Sequence, residues 1–75
     1  MKHIDYVNLA MDSISGGQSA VAKKLEIAQA SVWKWTKKGL PRTDWTGETN
    51  YSQALEELSS GKVTRKQLLE SRNAN

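Results

Sequence analysis

Residues 18–39 read QSAVAKKLEIAQASVWKWTKKG, and the spacing within them decides the fold. At 3.6 residues per turn, Val21, Ala22 and Leu25 share one face of a first helix while Lys23 and Lys24 turn outward. In a second helix Ala28, Val32 and Trp35 share a face. Gln29, Ala30, Trp33, Lys34 and Lys37 fall opposite, on a side carrying amides, an aromatic ring and cations. Only Glu26 and Ile27 remain between the two helices. So short a connection makes them cross steeply, with Ile27 plugging the corner, which is the geometry of a helix-turn-helix.

Outward from this motif the chain keeps helical punctuation. In residues 3–15, Ile4, Val7, Met11 and Ile14 recur at spacings of three and four, with Asp5, Asn8 and Asp12 facing away. Gly16 and Gly17 end that helix and Gln18 opens the next. Beyond the motif, Lys37 and Lys38 sit near the negative pole of a helix, Gly39 suits a left-handed cap, and Pro41 bars continuation. Residues 42–49, RTDWTGET, read as a loop pinned by Trp45. Asn50 or Thr49 can cap a fourth helix running to about Ser60, with Tyr51, Ala54, Leu55 and Leu58 on one side and Gly61 as its stop. Thr64 and Gln67 have capping-box spacing, which favours a short fifth helix carrying Leu68 and Leu69. SRNAN, residues 71–75, should fray. The expectation is an all-α bundle of about five helices forming one domain over residues 1–70.

Composition narrows the chemistry. Seventy-five residues make a core of marginal stability, which a second copy of the chain would support. There is no cysteine, so neither disulfides nor thiolate metal sites are available. The single histidine, His3, lies near a terminus expected to be mobile, and the acidic residues show neither metal-ligand nor paired-carboxylate spacing. No glycine-rich loop follows a strand. These features argue against an enzyme, a cofactor, a metal site or a small-molecule substrate. No apolar run is long enough for a signal sequence or a membrane span, so a cytoplasmic protein is expected. The net charge is +3, and it is unevenly placed. Lys23, Lys24, Lys34, Lys37, Lys38 and Arg42 stand against Glu26 alone between residues 23 and 42, which leaves the remainder net acidic. A basic patch coinciding with the proposed recognition element is the footprint of a protein that displaces counterions from phosphates.

The spacing of Ala22, Leu25, Ile27, Val32 and Trp35 resembles the helix-turn-helix of phage Cro and repressor proteins and of the YdaS-like regulators of prophages. The resemblance continues through Pro41 and NYSQALEELSSGKVTRKQLL and covers roughly residues 4–69. Two positions depart from the pattern. Glu26 stands where a turn glycine is usual and must accept a left-handed conformation, and Ala28 replaces a capping Ser or Thr. Cro-like proteins divide after the fourth helix, some ending in helices and others in a β-hairpin. Here the capping spacing, and the lack of alternating apolar residues after Val63, favour helix.

The resemblance implies a transcriptional regulator of a phage or prophage, a repressor that binds double-stranded DNA in a bacterial host cell. It would act as a homodimer on a pseudo-palindromic operator, with recognition helices in successive major grooves blocking polymerase by occlusion. Gln29 is suited to paired hydrogen bonds with an adenine edge, Ala30 to a thymine methyl, and Lys34 to guanine or a phosphate. Trp33 has three readings: contact with thymine methyls, contact with the sugar-phosphate backbone, or tucking into the loop around Trp45 or a partner subunit. Trp35 reads as core. Gln18, with Ser19 beside it, matches the position whose amide meets a phosphate, and Lys37, Lys38 and Arg42 suit phosphates as well. Trp45, Tyr51, Leu55 and the C-terminal helix are the expected dimer surface. The rival reading is an antitoxin-like protein-interaction module that keeps the scaffold, but such a binder has no need of cations on the recognition helix. A single-stranded RNA binder is disfavoured, because the aromatics do not lie on a sheet platform.

Overall fold

The apolar spacing of residues 4–14 is helical in the computed structural model, which describes residues 2–73 and the side chains through residue 71. In α1 (His3–Ser13) Val7, Ala10 and Met11 are buried, as is Ile14 just past its end, while Ile4 is only half-buried. Asp5 accepts a hydrogen bond from the Lys2 backbone N–H at 2.9 Å, which places an anion in the first turn, where the helix dipole favours it.

The motif is α2 (Gly17–Leu25) followed by α3 (Gln29–Lys38). Val21 and Ala22 of α2 join Val32 and Trp35 of α3 in the core, and Leu25 and Ile27 pack partly buried beside them. Glu26 does adopt the left-handed region, at φ 57° and ψ 43°. Two backbone bonds close the turn around it, Ile27 N–H to Ala22 O at 3.0 Å and Glu26 N–H to Lys23 O at 3.4 Å. This is a Schellman motif with glutamate where glycine is usual, and Ile27 supplies the apolar contact that such a motif needs. Ala28 makes no side-chain cap and is exposed, so it does not share the buried face of α3 that its spacing suggested. At position 28 the chain is still extended, φ −68° and ψ 141°, and helical periodicity does not yet apply.

Three further helices follow α3, one more than the spacing suggested. The stretch expected as a loop contains α4 (Thr43–Thr46), a single turn started by Pro41, whose carbonyl accepts from Asp44 N–H at 3.1 Å. The reason lies in Asp44, which is 3% exposed. Its Oδ1 accepts from Tyr51 N–H at 2.9 Å and Thr49 Oγ1 at 2.7 Å, and its Oδ2 from Ser52 N–H at 2.8 Å. Asp44 thus caps α5 (Tyr51–Leu58) from outside the helix, and neither Asn50 nor Thr49 serves as the side-chain cap. The Thr64–Gln67 capping box is present, with Gln67 N–H bonded to Thr64 Oγ1 at 3.1 Å and Thr64 N–H to Gln67 Oε1 at 2.9 Å. The helix it starts, α6 (Arg65–Asn73), shows that the chain ends in a helix and not in a hairpin among the described residues.

Val7, Val21, Val32, Leu40, Leu55, Val63 and Leu68 are at most 1% exposed and belong to one core, with α1 against α3 and α6, α2 against α3 and α5, and α5 against α6. Full burial of such side chains contributes about 1.5–3 kcal/mol each.

Two expectations about the ends of the chain are corrected. His3 is 4% exposed and far from mobile. Its Nε2 accepts from Leu40 N–H at 3.0 Å and its Nδ1 lies 2.8 Å from Leu68 O, a carbonyl that can only accept, so the ring carries its proton on Nδ1. Fraying does not begin at residue 71 either, because Ser71 is buried and donates to Leu68 O at 3.0 Å; residues 74 and 75 lie outside the described residues.

Candidate nucleic-acid interface

The buried side of α3 is Val32, Trp35 and Thr36. Everything else on that helix is exposed: Gln29, Ala30, Ser31, Trp33, Lys34, Lys37 and Lys38. The ridge is held from below, since Trp35 stacks on Tyr51 of α5 with centroids 4.6 Å apart and planes tilted by 31°, and Thr36 Oγ1 donates to Trp33 O at 2.6 Å. At its end Gly39 has φ 87° and ψ 179°, a positive φ but not the left-handed helical cap expected of it. A Cβ there would come within 2.5 Å of the His3 ring. The extended ψ sends Leu40 N–H to His3 instead, which fixes where the ridge stops.

Two hollows flank the ridge. One of about 360 Å³ is lined by Gln18, Gln29, Ala30 and Trp33, so the structure brings four of the sequence-selected residues together. Ser19 joins them, because its hydroxyl donates to Gln29 Oε1 at 3.2 Å and leaves the amide nitrogen to point elsewhere. The Lys37 ammonium lies 5.7 Å from the centroid of the Trp33 ring, one turn away, and ties the two side chains by a cation–π contact. On the other flank, a hollow of about 310 Å³ between Ile27, Ser31, Pro41 and the Trp35–Tyr51 pair is rimmed by Lys34 and Lys38. Arg42 is exposed but stands apart, past Pro41 at the start of α4.

Trp33 is 51% exposed, so it does not tuck into the loop around Trp45. Trp45 turns inward, with its Nε1–H on Leu69 O at 2.9 Å and its ring edge-on to His3 at 5.2 Å. Of the residues expected to pair two copies, Leu55 is corrected, because it is fully buried; Tyr51, against Trp35, and Trp45, against His3 and α6, are half-buried. Spacing alone did not reveal the bond from Ser19 to Gln29 or the hollow behind Ala30, both of which depend on the angle at which α2 crosses α3. Among the described residues no group of His, Cys, Asp and Glu is arranged to hold a metal ion, and no helix is long and apolar enough to cross a membrane.

Comparison with known proteins agrees with this architecture. The 8.4 kDa cro protein of Escherichia phage HK022 is 37% identical over 51 residues, 67% of each chain. No solved structure gives a significant match. The model of a family described as bacterial toxin YdaS matches residues 7–71, from the buried Val7 of α1 to the buried Ser71 of α6. With all six helices wholly or partly inside that match, the chain belongs to the Cro-like, YdaS-type family.

Proposed function

We propose that this chain is a sequence-specific regulator of transcription that binds duplex DNA by laying α3 in the major groove. The observation that carries the reading is the exposed arc of α3, where Gln29, Ala30, Trp33, Lys34, Lys37 and Lys38 all face solvent on one firmly backed helix. An α-helix fits the major groove, amides and lysines match base-edge acceptors and donors, and clustered cations release phosphate counterions. Gln29, Ala30, Trp33 and Lys34 take the base edges, while Gln18, Ser19, Lys37, Lys38 and Arg42 take the phosphates. The relative named cro protein supports a phage or prophage repressor. Occlusion of a promoter by a homodimer, with two α3 ridges about one helical turn apart, is the simplest mechanism for a domain of this size in a bacterial host cytoplasm.

Selection of bound sequences from random duplexes tests this. A pseudo-palindromic consensus whose binding weakens steeply with salt is the expected result, and enrichment of no sequence overturns it. The word toxin in the family description keeps a second reading in view, a module whose partner is another protein. On that reading, a chain with Lys34, Lys37 and Lys38 changed to Ala would retain its partner and its cellular effect; on ours it loses both.

A further inference from the structure

The hollow behind Ala30 goes further than DNA binding in general. Its walls are of two kinds: the amides of Gln18 and Gln29, and an apolar corner made by the Ala30 methyl and the Trp33 indole. Trp33 leaves half of a large apolar ring in water, which is unfavourable unless binding covers it. The ring is also restrained, since the Lys37 ammonium stands over it at 5.7 Å. Gln29 is held too, with Ser19 donating to its Oε1.

In the major groove the base edges present acceptors and donors, and one apolar group, the C5 methyl of thymine. A purine edge or an unmethylated cytosine pressed into the Ala30–Trp33 corner would lose water without gaining a partner. Building on the DNA-binding reading above, we infer that this corner is a specificity subsite for a 5-methylpyrimidine edge, filled by thymine in unmodified DNA and by 5-methylcytosine where that base is present. Binding therefore responds to C5 methylation at any operator variant that places cytosine there.

The test uses the full chain and the duplex recovered by selection, with each thymine replaced in turn by deoxyuridine, which removes only the methyl group. At one position per half-site the affinity should fall about fourfold, the worth of one buried methyl. With cytosine at that position the duplex should bind more weakly, and 5-methylcytosine should restore about fourfold over cytosine. Trp33→Ala should erase both differences and Trp33→Phe keep them, with unchanged far-ultraviolet circular dichroism in each, because Trp33 lies outside the core. Indifference to deoxyuridine at every position, or a Trp33→Ala chain that keeps the full difference, overturns the subsite but leaves the DNA reading standing, with the ring against the sugar-phosphate backbone. Recovery of no preferred duplex overturns both.

Discussion

Glu26 shows how one residue can be strained and still correctly placed. A left-handed backbone costs an L-residue about 1–2 kcal/mol, yet here the conformation is enforced by the Schellman bonds on either side of it and by Ile27 packing into the corner. Glu26→Gly should therefore raise the stability by about 1 kcal/mol, read as a higher urea midpoint at unchanged slope. A lower midpoint would mean that the turn is not held in this form. On the proposed DNA-binding ridge, the two kinds of contact should separate by mutation. Gln29→Ala should cost about 1–3 kcal/mol on the operator and little on random DNA, which erodes discrimination. Lys37→Ala should weaken both and reduce the slope of log affinity against log salt by about 1. Equal losses on both duplexes for Gln29→Ala would remove it from base reading.

At the scale of elements, the cap of α5 is the instructive case. Spacing pointed to Thr49 or Asn50, but Asp44 reaches the first backbone N–H groups of α5 from the preceding turn and makes α4 and α5 one unit. Asp44→Ala should leave those buried donors unpaired and destabilise the domain by about 2–3 kcal/mol. Asn50→Ala, which removes no side-chain cap, should be nearly neutral. Thermal melts of the two variants compare them directly, and similar midpoints would refute the assignment. A capping box such as Thr64 and Gln67 is readable from sequence because its partners lie three residues apart, whereas Asp44 acts across seven and eight residues through a turn that had first to form.

For the whole molecule, His3 is the tie between its two ends. The ring joins the start of α1, the chain after α3 at Leu40, and α6 at Leu68, and Gly39 is packed so closely that no Cβ fits. His3→Ala removes both bonds and opens a cavity, for about 3 kcal/mol in a domain whose total stability is small. Chemical denaturation checks this, and an unchanged midpoint would show that the tie contributes nothing. On the proposed function the effect should extend to DNA affinity, because the same ring fixes where the α3 ridge ends.

The all-α class, the helix-turn-helix, the exposed basic side of α3, the core position of Trp35 and the helical C-terminal segment were all legible in residues 18–39 and 64–69. They follow from periodicity and capping, which are local and survive without knowledge of the fold. Only the tertiary structure decided that His3 is a buried tie, that Asp44 is a cap, that Leu55 is core and so unavailable for pairing, and that Ala30 and Trp33 share one hollow with Gln18. Each of these depends on residues brought together across turns or across the whole chain, and a side chain's burial or partner is set by what packs against it, which spacing along one helix does not specify.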